Sequence, residues 1–351
     1  MADSSRTAQP GDLVCVTGAS GFIASHIVAE LLRQGYRVRG TVRNPSDEAK
    51  TAHLRAIETE TGGQLELVAG DLMQPGAFDE AVAGCPFVCH TASSVRLAAD
   101  DPQREIVDVA VQGTLNVLGS VAKAGEAHRV VVTSSVAAII DEEVQDEVYF
   151  TEEHWNESAR VDVNPYPLSK TEAERAAWTF VDEQPADHRF ELVTINPSWV
   201  LGPVLAKVHG RSSPAVMRDL LTGKFPMTPK LAFNLVDVRD VALAHVRALQ
   251  RPDAAGRFII NNQRKILPEL SAMLREDFPG KKVPRFAMPN PLMYVVALFD
   301  KRITWSFLRK NLDAVTRLDN GKSLKVLGID YRPVRETVRD TGQAFIDLGE
   351  A

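Results

Sequence analysis

The sequence predicts an α/β fold: a doubly wound parallel sheet covered by helices on both faces, followed by a smaller, discontinuous C-terminal domain. Three observations carry that prediction. The stretch from Leu13 to Arg43 reads as a buried strand, a glycine turn, an amphipathic helix and a second strand. Apolar runs of strand length then alternate with helix-length segments through the first half of the chain, the pattern of a sheet buried on both sides. From Leu205 to Lys230, and again from Leu267 onwards, the pattern changes to short helices, prolines and isolated apolar residues.

The first strand, Leu13 to Thr17, is apolar and β-branched and stops at Gly18. Gly18 lets the chain reverse tightly, Gly21 leaves no Cβ between backbone and ligand, and Ala24 fills the third small position, where helix packs on strand. The N–H groups of Ser20, Gly21, Phe22 and Ile23 then open a helix carrying Ile27, Val28, Leu31 and Leu32, and form an anion site suited to a pyrophosphate. Strand, glycine turn and helix in that order are the context of a Rossmann-type dinucleotide fold. The second strand, Tyr36 to Val42, ends in Arg43, where a protein that holds NAD offers an acid to the ribose 2′-hydroxyl. An arginine there pairs with a 2′-phosphate, and Lys50 is either a second cation or an ordinary surface charge. NADP(H) is therefore the expected cofactor.

A helical stretch through Leu54 and Ile57 leads to a third strand, Leu65 to Ala69, which closes on Gly70, Asp71 and Leu72. Asp71 either reaches the adenine edge beside Leu72 or caps the short helix at Phe78 to Val82. The fourth strand, Phe87 to His90, opens into Thr91, Ala92, Ser93 and Ser94, small residues that let a ligand lie against the backbone. A helix from Gln103 to Ala124 and a fifth strand, Arg129 to Thr133, lead into Ser134 and Ser135. The next helix opens on Tyr166-Pro167-Leu168-Ser169-Lys170. Tyrosine and lysine at i and i+4 share a face, so phenol and ammonium act together, and a nearby cation lowers the phenol from its usual pKa of about 10. Pro167 sits in the first turn, where no helical N–H bond is lost. Later strands are Leu192 to Ile195, Phe233 to Val236 and Arg257 to Ile260.

Through VTGASGFIASH, RGTVR, GDL, HTAS, VVTSS, YPLSKTEAE, NPSWVLGP and DVRDVALAHV, the chain resembles the extended short-chain dehydrogenase/reductase superfamily, in its dihydroflavonol-reductase-like branch. GFIASH with RGTVR, and SKTEAERAAWTFVDE, are similar to microbial NADPH-dependent aldehyde and ketone reductases of that branch. The resemblance implies that Ser135 holds a substrate carbonyl oxygen, Tyr166 donates the proton, and Lys170 binds the nicotinamide ribose and tunes the tyrosine. Two donors aimed at one oxygen stabilise the alkoxide charge that develops there. By position alone Ser134 competes with Ser135. The same resemblance places the segment Asn196 to Pro203, with Pro197 and Val200, beside the nicotinamide; Thr133 is also expected at the cofactor, and Ser212 and Ser213 at the pyrophosphate. Residues 11–200, with 233–263 returning to them, are the expected cofactor domain, and 201–232 with 264–351 the substrate domain.

Ile140 stands where plant dihydroflavonol reductases carry an asparagine that grips the flavonoid ring, and the residues before Tyr166 lack the Trp-Tyr-Cys-Tyr wording of cinnamoyl-CoA reductases. Both of those substrate readings drop. Val95, Ala137, Ile140, Trp199, Met217 and Phe225 form an apolar set of pocket walls, which suits a broad carbonyl reductase of aldehydes, ketones or keto esters. Two rivals stay open. A sugar-nucleotide epimerase or dehydratase favours NAD, and a dehydratase wants Thr-Asp-Glu where this chain has Thr133-Ser134-Ser135. A non-catalytic NADP-binding regulator usually loses the tyrosine or lysine, and both are here.

The 351 residues, 44% of them hydrophobic, are enough for a sizeable core. A net charge of −6 supplies no basic field for nucleic acid. In the C-terminal third the longest apolar run, Leu292 to Phe299, is too short to span a bilayer, and the first residues hold no apolar signal core. The expectation is a cytoplasmic monomer or homodimer whose partner is a small carbonyl compound. Cys15, Cys85 and Cys89 lie in or beside apolar runs and read as buried free thiols. His26, His53 and His90 read as packing or surface residues, and with no second ligand pair and no His-Glu-x-x-His pattern no metal site is expected.

Overall fold

The computed structural model describes residues 6–93, 99–141, 143, 148–185, 189–298, 308, 312 and 315–351. The cofactor-sized first half runs β1 (Leu13–Thr17), α1 (Phe22–Arg33), β2 (Arg37–Val42), α2 (Glu48–Thr61), β3 (Gln64–Ala69), α3 (Asp79–Val82), β4 (Phe87–His90), α4 (Asp108–Ala124) and β5 (Arg129–Thr133). Next come β6 (Tyr149–Phe150), α5 (Pro165–Asp182), β7 (Glu191–Pro197), β8 (Trp199–Leu201), α6 (Ala215–Leu221), β9 (Thr228–Pro229), β10 (Ala232–Asp237), α7 (Val238–Gln250) and β11 (Gly256–Ile260). The chain closes with β12 (Gln263–Ile266), α8 (Leu267–Asp277), β13 (Ala287–Met288), α9 (Asn290–Ala297), β14 (Arg317–Leu318) and α10 (Val334–Asp347).

Seven strands form one parallel sheet in the order β3-β2-β1-β4-β5-β7-β11. The chain winds outward from β1 through β2 to β3, then crosses back to β4 and winds the other way. The carboxyl ends of β1 and β4 therefore flank the switch point, the crevice where such sheets take their ligands. The two-residue period of the strands divides the core. Val14, Val16, Cys89 and Val131 join Ile27, Val28 and Leu31 of α1 and Val241 and Ala248 of α7. Cys15, Val88, Val130 and Val132 face the other way, onto Leu118 and Val121 of α4 and Ala177 and Val181 of α5. All three cysteines are buried and free.

The first of these cores continues into the C-terminal part through Met217, Leu220, Leu270, Leu274, Val338 and Phe345. One departure concerns the sheet. β10 does not join the seven strands; it pairs parallel with β8 and antiparallel with β12, so the returning segment contributes a single strand, β11, to the large sheet. β7 ends at Pro197, which has no N–H with which to extend a ladder. The chain diverges there, and β10 follows β8. Among the described residues no helix is long and apolar enough to cross a membrane.

Candidate active site

The glycine turn is built by close approach. Gly18 has φ +66°, and a Cβ on it would lie 2.9 Å from the Cα of Ala92, so only glycine lets the β1–α1 turn rest against the end of β4. Thr41 holds the turn from the other side: its Oγ1 accepts from the Gly18 amide at 3.0 Å and its carbonyl from Ala19 at 2.8 Å. Thr17 ties β1 to β4, its Oγ1 accepting from the amides of Thr91 and Ala92, both at 3.1 Å, and donating to His90 Nδ1 at 2.8 Å. Gly21 is exposed, and a Cβ there would meet only the Gly18 carbonyl oxygen at 3.2 Å and the Ala24 Cβ at 3.9 Å. No side chain caps α1. Its first amides, Phe22 and Ile23 among them, are thus left for an anion, and the cradle fits a dinucleotide pyrophosphate.

Arg43 is exposed just beyond β2 and has no ion pair among the described residues. Lys50 lies 3.1 Å from Asp47, a local partner that competes with any ligand phosphate. Asp71 accepts from the Met73 amide at 2.9 Å, so in this structure it caps its own turn, while the half-buried Leu72 packs under Gly113.

Behind the turn sits a residue that the sequence did not single out. His209 Nδ1 accepts from the Leu205 amide at 3.3 Å, which leaves Nε2 to donate to the Ser20 carbonyl at 3.1 Å. His26 Nε2 donates to the Pro203 carbonyl at 2.9 Å, and the rings of His53 and His209 meet edge to face at 4.9 Å. Burial holds His26 and His209 down to about 4, so both are neutral fasteners between the glycine turn and segment 203–209. Ser212 donates its hydroxyl to the His209 carbonyl at 2.7 Å and so belongs to the same loop.

The carboxyl end of β5 meets the first turns of α5. Ser135 Oγ accepts from the Ala137 amide at 3.1 Å, and its hydroxyl lies close enough to the Tyr166 phenol to act on its ionisation. Lys170 Nζ lies 5.9 Å from the centre of the Tyr166 ring and donates to Ser93 Oγ at 3.2 Å. Ser134 points the other way, buried, with its hydroxyl donated to Glu174. Of the two adjacent serines, only Ser135 faces the tyrosine. Thr133, expected at the cofactor, instead donates its hydroxyl at 2.7 Å to His245 Nε2, whose Nδ1 is already donated to the Val241 carbonyl.

The electrostatics differ from the expected lowering of the phenol. Burial raises Tyr166 above its ordinary value, opposed by the nearby Ser135 hydroxyl, and keeps the phenol protonated near neutral pH. Burial also draws the Lys170 ammonium down to about 8, opposed by Glu174. A protonated phenol beside a serine hydroxyl can hand a proton to an oxygen that both reach.

The pocket walls are brought together only in part. Ala137 and Ile140 are half-buried in the turn after Ser135, with Ile140 packed on Ile139, Phe150 and Ile259. Trp199 packs against Phe233 with the rings tilted by 40° and their centres 4.4 Å apart, and Phe225 is half-buried. Met217 is a correction: it has no exposed surface and packs in the core with Leu220 and Leu221, because α6 turns that face inward. Val95 and Ser94 lie outside the described residues. Pro197 and Val200 are buried, paired with Ile260 and Val236. Among the described residues no group of three or more His, Cys, Asp or Glu side chains could hold a metal ion.

Known proteins are similar to this chain over most or nearly all of its length. A cinnamoyl-CoA reductase of Medicago truncatula is 36% identical over 343 residues, 95% of this chain and 96% of its own. Tetraketide alpha-pyrone reductase 1 of Arabidopsis thaliana is 40% identical over 288 residues, 80% of this chain and 86% of its own. Yeast methylglyoxal/isovaleraldehyde reductase Gre2, solved in complex with NADPH, superposes with a TM-score of 0.79 at 32% identity, covering 97% of this chain and 100% of that one. The Candida albicans Gre2 complex with NADPH gives 0.77 at 32% identity, covering 96% and 99%. The model of the NAD dependent epimerase/dehydratase family matches residues 14–261, and the chain belongs to that family.

Proposed function

We propose that this protein is an NADPH-dependent carbonyl reductase of aldehydes, ketones or keto esters bearing apolar groups. The observation that carries the reading is the meeting of the Ser135 and Tyr166 hydroxyls beside Lys170, at the same edge of the sheet as an uncapped glycine turn. When bound, the nicotinamide supplies a hydride. The chain's own part is to hold the carbonyl oxygen between Ser135 and Tyr166 and to deliver the phenolic proton as charge develops on that oxygen. Lys170 holds the ribose side of the site from its bond to Ser93, and Arg43 receives the 2′-phosphate. The NADPH bound in the two Gre2 complexes supports the choice of cofactor.

The test is loss of reduced-nicotinamide absorbance against a panel of aldehydes, ketones and keto esters, with Tyr166→Phe as control. Removing the general acid is expected to lower kcat by about 10²- to 10⁴-fold. Unchanged turnover in that variant would overturn the assignment. The full-length similarity to a cinnamoyl-CoA reductase favours a second reading, reduction of an aromatic acyl-CoA thioester. Including a hydroxycinnamoyl-CoA in the panel decides between them, since the apolar carbonyl reading expects the free aldehyde to be the better substrate.

A further inference from the structure

The face of α5 that carries Tyr166 and Lys170 continues, at the same four-residue spacing, to Glu174. Glu174 is only 2% exposed, a place where a carboxylate persists only if its oxygens are satisfied. They are. Oε1 accepts from Arg257 Nε at 2.7 Å and Thr194 Oγ1 at 2.9 Å, while Oε2 accepts from Asn196 Nδ2 at 2.8 Å and from Ser134 Oγ. The donors come from β7, β11 and the end of β5. The same donors hold the Ser135 segment: Asn196 Nδ2 also reaches the Ser135 carbonyl at 3.2 Å, and Arg257 Nη2 the Ala138 carbonyl at 3.3 Å. Arg257 in turn is braced by the carbonyls of Glu152 and His154 and by the ring of Trp155, 3.8 Å below its guanidinium. On its other side Glu174 shares with Lys170, Ser93 and His90 a space of about 20 Å³, room for roughly one water.

We propose that Glu174 is a positioning residue for the reaction: it clamps the start of α5, with Tyr166 and Lys170, against the Ser135 segment, and keeps a negative charge one turn behind Lys170. Other groups facing this place are His90 from β4, neutral because burial and Lys170 hold it down to about 3, and Arg257 from β11, already bound to Glu174. The effect on turnover rests on the carbonyl-reductase reading; the effect on Lys170 does not.

Glu174→Gln removes the charge at nearly constant shape. The titration of Lys170 is followed by NMR of ¹³C-dimethylated lysines, its signal identified by absence in Lys170→Arg. The expected result is a midpoint lowered by about one to two pH units. With it, kcat for the carbonyl falls about 10- to 100-fold, the alkaline limb of its pH profile moves the same way, and KM stays nearly unchanged. Glu174→Asp, which keeps the charge but not the reach, is expected to restore the midpoint without restoring kcat. Since Glu174→Gln leaves Arg257 buried without its counter-ion, Glu174→Gln combined with Arg257→Met serves where the single variant fails to fold, and is expected to lower the midpoint as well. An unmoved midpoint in a folded variant of either kind overturns the proposal, whether or not the wild type reduces carbonyls. A lowered midpoint in a protein that oxidises NADPH with no carbonyl overturns the reductase reading and supports the charge role.

Discussion

Arg43 gives the sharpest test of the cofactor assignment, because the structure makes its contribution separable. The guanidinium is exposed and has no ion pair among the described residues, so Arg43→Ala breaks no internal contact that would weaken the fold. What it removes is a charged donor for a 2′-phosphate. A hydrogen bond to a charged group at a partly solvated site contributes about 1.5–3 kcal/mol, or roughly 10- to 150-fold in affinity. Lys50 offsets little of this, since it is held 3.1 Å from Asp47. Fluorescence titration of wild type and Arg43→Ala with NADPH and NADH, at one fixed ionic strength, reads the difference directly. NADPH affinity is expected to fall by that factor and NADH affinity to stay nearly constant. The NADPH loss should shrink as salt is raised, because exposed charges are screened over about 8 Å at physiological ionic strength. Equal weakening of both dinucleotides, or of neither, would refute the role given to Arg43.

Three other outcomes follow from the same geometry. Ser135→Ala should lower kcat by about 10²- to 10³-fold with little effect on melting temperature. Ser134→Ala should instead show its main effect as about 1.5–3 kcal/mol of lost stability in denaturant unfolding, because its hydroxyl serves buried Glu174; a reversal of the two phenotypes would exchange their assignments. Gly18→Ala places a Cβ 2.9 Å from backbone at φ +66°, and is expected to weaken NADPH binding and to cost at least about 1–2 kcal/mol of stability, read by titration and melting. Fully buried His245 is held near 4, whereas an unfolded histidine titrates near 6.5. Its neutral form is favoured by folding, so the stabilisation is whole above pH 6.5 and is lost as pH falls from 6.5 to 4, by up to about 3 kcal/mol. Melting temperatures across that window should decline, and less steeply in His245→Gln; equal slopes would rule out His245 as a source.

What the sequence showed and what it hid divide along chain distance. β4 and β5 span the residues expected of them, Phe87–His90 and Arg129–Thr133, and the tyrosine and lysine of α5 fall on one face, because strand burial and helical spacing are local. Met217 was misjudged for the same reason: the periodicity of α6 marks an apolar face without saying whether core or pocket lies against it. The choice between Ser134 and Ser135 needed Glu174, and Glu174 needed Arg257, 83 residues further on. His209 reaches Ser20 across 189 residues and carries no local pattern at all. The separate β8-β10-β12 sheet was hidden too, since strand partners follow from where Pro197 stops one ladder and not from the strands' own composition.

The two halves of the site are physically continuous, and the junction is the end of β4. Thr17 uses both lone pairs of its hydroxyl oxygen on the Thr91 and Ala92 amides and its proton on His90, which sets the course of the chain into Ser93. Ser93 in turn receives Lys170 from α5. The strand that abuts the glycine turn therefore also seats Lys170, the lysine one turn after Tyr166, although the turn and that helix are separated by more than a hundred residues of chain. A fold with its switch point elsewhere would bring the same motifs to different edges of the sheet. In this one, the close approach that requires glycine at position 18 is the approach that sets Lys170 beside the cofactor cradle, so the glycine turn and the Tyr166–Lys170 pair owe their proximity to one structural cause.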